Sequence, residues 1–234
     1  MADTLVVVPT YNEIEGLASI VGRLRQAVPD ADILIVDDSS PDGTGELADR
    51  LAAADPAVRV LHRPAKRGLG RAYIDGFTHA LGAGYQRIVE IDADGSHDPA
   101  ALPDLLALTT TADVVLGSRW VTGGVVLNWP RVRRSISRLG NRYAKAVLRS
   151  RINDLTSGYR VYRADALRAL ELGKVSSQGY CFQVELAWRL ERMGFSIAEH
   201  PITFLERTQG RSKMHLGIVV EALLRVTVWG LRAR

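Results

Sequence analysis

Asp92-Ala93-Asp94 closes one short apolar run, and a second acidic pair, Asp37-Asp38, closes another. Alternate side chains of an extended segment leave the same face, so Asp92 and Asp94 direct two carboxylates to one place. Like charges that close raise each other's pKa unless a cation intervenes. A hard divalent ion with oxygen ligands, Mg²⁺ or Mn²⁺, together with a bound diphosphate would resolve the repulsion. A glycosidase-type acid and base pair fits the spacing poorly, because those carboxyls flank the scissile bond from opposite sides. A third polar cluster, Pro9-Thr10-Tyr11-Asn12-Glu13, ends the first apolar run, and Asp37-Asp38 continues into Ser39-Ser40-Pro41-Asp42-Gly43. Asp42 and Asp98 sit where they would cap the helices that follow them. Lys66-Arg67-Gly68-Leu69-Gly70-Arg71 offers backbone N–H groups and cations to a phosphate, or is turn chemistry alone. No G-x-G-x-x-G follows the first apolar run, which argues against a nicotinamide dinucleotide site.

Cations concentrate further along. From Arg119 to Arg151 there are nine Lys or Arg and no Asp or Glu. Arg131, Arg134, Arg138, Arg142, Lys145 and Arg149 recur at steps of three or four, with Val132, Ile136, Leu139 and Tyr143 on another flank of the same helix. Such a helix can lie on an anionic membrane surface, or it can be a solvated basic face.

Short β-branched runs and longer helical patterns must position these groups. Thr4–Val8, Asp32–Val36, Val58–Leu61, Arg87–Ile91 and Val114–Leu116 are strand candidates. Helices are expected near Glu13–Val28, Thr44–Ala53 and Gly70–Ala83, and a fourth opens at Asp98-Pro99. The β-α-β-α order implies a mostly parallel sheet with helices on both faces, with the three polar clusters converging at its carboxyl edge. Beyond it come the basic helix near Arg131–Arg149, strands near Tyr159–Tyr162 and Ile197–Phe204, a helix near Phe182–Met193 and a last apolar helix from about His215. No internal repeat or low-complexity linker divides the chain.

The 234 residues, 47% apolar and 24% charged, suit one large α/β domain. Cys181, the single cysteine, cannot form an internal disulfide and suits a buried position in a reducing cytoplasm. Met1-Ala2-Asp3-Thr4 has no cationic start of a secretory signal, and no run of apolar residues is long enough to span a bilayer. Met214–Arg234 is apolar but interrupted by Glu221 and Arg225, as in an interfacial helix or one packed on the core. The formal charge of +4 hints at an anionic partner. Aromatics at 6%, none arranged as a stacking platform, argue against nucleic acid.

Several of these stretches resemble the family 2 glycosyltransferases of GT-A fold, and within them the dolichol- or polyprenol-phosphate mannose synthases. The carriers are Val8–Glu13, the uninterrupted Val36-Asp37-Asp38-Ser39-Ser40-Pro41-Asp42-Gly43-Thr44, Asp92-Ala93-Asp94, Gly117-Ser118-Arg119, Thr156-Ser157-Gly158-Tyr159-Arg160 and Arg207-Thr208-Gln209-Gly210-Arg211-Ser212-Lys213. The likeness covers nearly the whole chain and implies a Rossmann-like GT-A sheet with a C-terminal acceptor-side extension. Its parts would be a nucleotide-sugar part over 1–118, an acceptor-side part over 119–213 and an interfacial helix over 214–234. By resemblance, Pro9, Tyr11, Glu13, Val36 and Asp38 line the base and ribose pocket, and Asp92, Ala93 and Asp94 hold ribose, diphosphate and metal. Arg119, Arg133 and Ser137 face the acceptor phosphate, while Arg207 and Lys213 neutralise the diphosphate. Relatives often carry a metal-binding glutamine where this chain has Ser96, so the third protein ligand could be Ser96, His97 or water.

The implied reaction moves mannose from GDP-mannose to polyprenyl phosphate, with inversion; a UDP-sugar donor is the alternative. Leaving-group charge must be stabilised and the reactants held in line. A phosphate monoester is already largely ionised at neutral pH, so it attacks without a strong general base. Glu185 is the leftover base candidate, or a structural glutamate. The resemblance further implies a peripheral place on the cytoplasmic face of the membrane, beside a separate membrane-embedded subunit.

Overall fold

Alternation along the first strands decides the layering. The computed structural model describes residues 2–175, 177, 180–206 and 216–232. In β1 (Thr4–Thr10) and β2 (Asp32–Asp37), Leu5, Val7, Leu34 and Val36 enter one apolar layer, while Val6, Val8, Ile33 and Ile35 enter the other. Successive side chains of a strand point to opposite faces, so a strand apolar at every position must be covered twice. On the second layer lie α1 (Leu17–Ala27), which buries Leu17, Ile20, Val21 and Leu24, α2 (Thr44–Ala54), and α4 (Leu102–Ala107). On the first lies α3 (Leu69–Gly82), with Tyr73 and Phe77 inward. A Cβ added at Gly76 would stand 2.4 Å from Val7 Cγ1, so α3 rests on β1 at a distance that only glycine permits.

The seven-stranded sheet has the order β3-β2-β1-β4-β7-β5-β8, with β3 (Val58–His62), β4 (Arg87–Glu90), β5 (Val114–Ser118), β7 (Arg160–Arg163) and β8 (Ile197–Pro201). All these pairs are parallel except those of β7, which runs antiparallel between β4 and β5. A small parallel pair, β6 (Val125–Leu127) with β9 (Thr203–Leu205), stands apart. The single strand expected over Ile197–Phe204 is therefore two: after Pro201, Ile202 N donates to Ser118 O at 3.1 Å, and its own carbonyl accepts from Val125 N at 3.0 Å. The first helix begins at Leu17, later than expected, because Gly16 N and Leu17 N both bond Glu13 O in a turn. Asp98 does accept from Ala100 N at 3.0 Å, but it opens a short 3-10 turn ahead of α4.

The second half adds α5 (Arg131–Leu148), α6 (Ala164–Ala169), α7 (Tyr180–Arg192) and α8 (Leu216–Arg232). Only Asn141, Ala144 and Leu148 of α5 are buried. Helices α5 and α8 meet closely: Tyr143 and Thr227 hydroxyls are 2.6 Å apart, and a Cβ at Gly230 would fall 2.5 Å from Val147 Cγ1. Trp188 of α7 stacks on Trp229 of α8. No helix among the described residues is long and apolar enough to cross a membrane.

Candidate active site

Strands β1, β2 and β3 run outward on one side and β4 returns beside β1, so the chain's direction of travel switches between β1 and β4. Ligands of open α/β sheets sit outside the carboxyl ends of strands at such a point. The loops after β1 and β2 are laced together there. Asn12 N donates to Ser40 Oγ at 3.1 Å, Glu13 N to Thr44 Oγ1 at 3.0 Å and Ile14 N to Asp42 Oδ2 at 3.4 Å. Asp42 also accepts from Thr44 N at 3.1 Å and Thr44 Oγ1 at 2.6 Å, the capping role expected of it. Burial opposes its charge, yet these hydrogen bonds hold its carboxyl below the ordinary value. Gly43 takes φ +90° ahead of α2, which explains glycine after Asp42.

The two acids after β2 do different work. Asp37 is buried and accepts from Ser40 Oγ at 2.6 Å, Ser40 N at 3.1 Å and Thr10 Oγ1 at 3.2 Å, so it builds the turn. Asp38 pairs with buried Arg63, which follows β3 and also holds Asp75 at 2.7 Å, and it accepts Arg67 N at 3.2 Å. Lys66 Nζ lies 3.6 Å from the centre of the Tyr11 ring. The segment that carries Lys66 and Arg67 is thereby drawn to Tyr11 and Asp38. Pro9 and Val36 are buried neighbours in the β1–β2 register, with the Val36 side chain in the core beneath α3.

Asp92 and Asp94 are half-buried and line one cavity, while Ala93 between them is in the opposite apolar layer. Asp92 Oδ1 accepts from Tyr73 OH at 3.0 Å, and burial beside that charge pushes the Tyr73 hydroxyl well above its ordinary pKa. Asp94 Oδ1 accepts Ser96 N at 3.0 Å and the Ser96 hydroxyl. Among the described residues no three His, Cys, Asp or Glu gather as a metal cage. Two carboxylates open to a cavity nonetheless fit Mg²⁺ or Mn²⁺, which bind through one or two carboxylates plus substrate phosphates and water. Ser96 Oγ is turned to Asp94. His97, buried between Tyr159 and Phe204, has its pKa lowered to about 4 by burial and by Arg119, against the pull of Asp94, so its ring is neutral.

The cavity, of about 170 Å³, continues from the acids past Arg119, Arg133, Ser137 and Thr156 to Ile136, Gly140, Tyr143, Ala144, Leu223 and Val226 of α5 and α8. Acids, cations and an apolar slot thus share one space. Arg119 is clamped by Asp154 and donates to Thr156 Oγ1 at 2.8 Å, and Asn141 Nδ2 bonds the same hydroxyl at 3.0 Å. Asp154 is in turn fixed by Glu199, which accepts its N–H at 2.9 Å. The Arg119 guanidinium carbon lies 5.2 Å from the Phe204 ring centre and 5.7 Å from that of Trp129. Arg133 stands 4.3 Å over Trp129 and pairs with Glu206.

The structure brings together Asp92, Asp94, Ser96, Arg119, Arg133 and Ser137 of the expected set; Tyr11, Glu13 and Asp38 belong to the neighbouring β1–β2 corner. Arg207 and Lys213 lie outside the described residues. Glu185 is buried away from the cavity lining, accepts Ser177 N at 3.1 Å and pairs with Arg189, so the structural reading accounts for it. Sequence reasoning missed Tyr73, Trp129 and Asp154. Arg160, in the Thr156–Arg160 stretch, is fully buried and donates to the carbonyls of Ser157, Gln183 and Leu155 at 2.7–2.8 Å, a scaffold role.

The model of the family "Glycosyl transferase family 2" matches residues 5–171. An undecaprenyl-phosphate mannosyltransferase of Micrococcus luteus is 56% identical over 230 residues, which cover 98% of this chain and 95% of that protein. A polyprenol monophosphomannose synthase of Mycolicibacterium smegmatis is 52% identical over 233 residues, 99% of this chain and 88% of that protein. Among solved structures, glucosyl-3-phosphoglycerate synthase of Mycobacterium tuberculosis with Mn²⁺ and UDP-glucose aligns at TM-score 0.68 and 21% identity, covering 98% of this chain and 78% of that one. A mannosyltransferase of Pyrobaculum calidifontis with GDP-Man and Mn²⁺ aligns at TM-score 0.66 and 18% identity, covering 98% and 64%. At such identities the structural likeness speaks to the fold.

Proposed function

This chain belongs to glycosyl transferase family 2, and from that premise we propose that it transfers mannose from GDP-mannose to polyprenyl phosphate, giving polyprenyl-phosphate mannose and GDP with inversion at the anomeric carbon. The observation that carries this reading is a continuous cavity in which paired carboxylates, two arginines and an apolar slot follow one another. A soluble acceptor would not need the slot. A phosphate on an isoprenoid chain needs all three.

An acceptor phosphate oxygen attacks the anomeric carbon as the bond from that carbon to the diphosphate oxygen breaks. The second phosphate pKa is near 6, so the nucleophile is already charged at neutral pH and no proton need be removed. Arg119, Arg133 and Ser137 would hold that phosphate, and the Asp154 clamp keeps Arg119 aimed. Asp92 and Asp94 would hold Mg²⁺ or Mn²⁺, which supplies positive charge to the leaving diphosphate. Arg207 and Lys213 would add to that charge. Tyr11, Glu13, Asp38 and the backbone around Pro9 and Val36 would border base and ribose.

The bilayer would be met by α5 and α8. Val132, Leu139 and Tyr143 of α5 and Leu224, Val228 and Leu231 of α8 are exposed, beside Arg131, Arg134, Arg138 and Arg142. Apolar residues flanked by cations suit the anionic cytoplasmic surface, and a membrane-embedded subunit would extend the same face. Purified protein given radiolabelled GDP-mannose, polyprenyl phosphate and Mg²⁺ or Mn²⁺ should yield an organic-soluble labelled product. Product with UDP-sugars and none with GDP-mannose would transfer the proposal to the other donor class; none with either would reject it.

A further inference from the structure

Helix α5 carries a second group of cations that the cavity does not use. Trp120, Arg138, Asn141, Arg142, Lys145 and Asn153 enclose a hollow of about 300 Å³, and Asn141 lines both this hollow and the cavity. Three of these six residues are cationic and none is acidic. Arg138, Arg142 and Lys145 are four and three residues apart, so they share one helix face and repel one another. Two of them are nevertheless held in place. Lys145 Nζ donates to Asn153 Oδ1 at 2.6 Å and to Arg151 O at 2.9 Å, and the Arg138 guanidinium lies 4.9 Å over the Trp120 ring. Neither Arg138 nor Arg142 has a carboxylate partner among the described residues. Like charges held around a hollow are satisfied together by one group rich in acceptor oxygens.

We infer that this hollow binds a phosphate group, taken from the headgroup of an anionic bilayer lipid or from free phosphate, as a second anion site beside the acceptor cavity. As a lipid site it rests on the proposal that α5 lies on the membrane. It would give the enzyme a fixed register on the bilayer, with the cavity mouth held next to the headgroup layer from which the acceptor enters.

The test titrates purified full-length protein with dihexanoyl phosphatidylglycerol below its micelle concentration, and separately with inorganic phosphate. The double variant Arg138→Gln/Arg142→Gln should weaken binding by about tenfold or more. Arg131→Gln/Arg134→Gln, with the same loss of charge outside the hollow, and Arg133→Gln, which empties the cavity of a cation, should each stay within about twofold of wild type. Phosphate affinity close to that of the lipid assigns the site to phosphate itself; phosphate about tenfold weaker assigns it to the lipid headgroup. Equal losses in the two double variants would mean a diffuse field and overturn the site, and loss in Arg133→Gln would mean that the lipid entered the cavity and overturn it too. Cosedimentation with phosphatidylglycerol vesicles separates the premise from the site: wild type that stays in solution sinks the membrane reading, whereas wild type and Arg138→Gln/Arg142→Gln bound equally well, with unchanged monomer titrations, sink the hollow alone.

Discussion

Asp154 grips Arg119 with both carboxylate oxygens, Oδ2 to Nε and Oδ1 to Nη2 at 2.7 Å each, and Oδ2 also accepts the backbone N–H of Arg119 at 2.9 Å. Both residues are buried. Arg119 stands one residue beyond β5, where nothing in the strand itself fixes its side chain; the clamp presents it to the cavity. Asp154→Asn would leave a buried guanidinium with a neutral partner, a loss of roughly 3 kcal/mol. Urea unfolding should show that loss. In the same variant KM for polyprenyl phosphate should rise while KM for GDP-mannose holds, and the reverse pattern would place Arg119 on the donor side.

The same pair sets part of the acid limit. Burial raises the Asp154 pKa, but the Arg119 charge and its hydrogen bonds win, and the carboxyl titrates below its ordinary value near 3.8. The unfolded chain therefore takes up this proton first as pH falls. The stability due to the pair is complete above the ordinary carboxylate pKa and disappears as pH drops through the lower native one. Against pH, the unfolding free energy of wild type should fall more steeply than that of Asp154→Asn below about pH 4. Parallel curves would remove Asp154 from the acid limb.

Asp94→Asn keeps an oxygen to accept the 3.0 Å bond from Ser96 N, so the turn after β4 should survive with little change in melting temperature. What it loses is one of the two negative charges facing the cavity. Turnover should fall by at least about a hundredfold, and calorimetry should show Mn²⁺ no longer strengthening GDP binding. Near-normal turnover would take the metal role from this residue.

At Gly76 a methyl group would meet Val7 Cγ1 at 2.4 Å, and β1 is too central to move aside. Gly76→Ala should cost about 1–3 kcal/mol by overpacking. Gly22→Ala, inside α1 with nothing within 4 Å, is the control and should gain about 0.5–1 kcal/mol from helix propensity. Thermal melts of the two should move in opposite directions.

These contrasts show which features are legible in sequence. The strands β1 to β5 announce themselves because apolar runs followed by acids or turn residues are local patterns, whereas Asp92 and Asp94 share a cavity although β4 ends at Glu90 and Ala93 and Asp94 lie in a turn, so the period of an extended strand is not what pairs them. Partnerships across the chain leave no such mark. Arg63 for Asp38 lies 25 residues away and Asp154 for Arg119 lies 35 away. Neither neighbour sequence distinguishes them from surface charges. The three-residue β6 is too short to carry a period, and the break between β8 and β9 depends on where Ser118 and Val125 lie, which Pro201 and Ile202 do not reveal.

Gly140 allows the apolar slot to be tested without disturbing anything else. It lies mid-way along α5 and lines the cavity, yet a Cβ built on it meets nothing within 4 Å. A larger residue there is thus compatible with the fold and gains about 0.8 kcal/mol of helix propensity. Gly140→Leu places its side chain in the space between α5 and α8, where the first isoprene units of the acceptor would run. The variant should melt no lower than wild type and keep its KM for GDP-mannose, because none of Tyr11, Glu13 and Asp38 of the β1–β2 corner lines the slot. Its KM for long-chain polyprenyl phosphate should rise by about tenfold, as expected when roughly two methylene groups of the acceptor are displaced from apolar surroundings into water. A short-chain prenyl phosphate, with less tail to accommodate, should suffer less. Equal effects on long and short acceptors would mean that the tail leaves the cavity by another route, and the slot would then have no part in recognising the lipid.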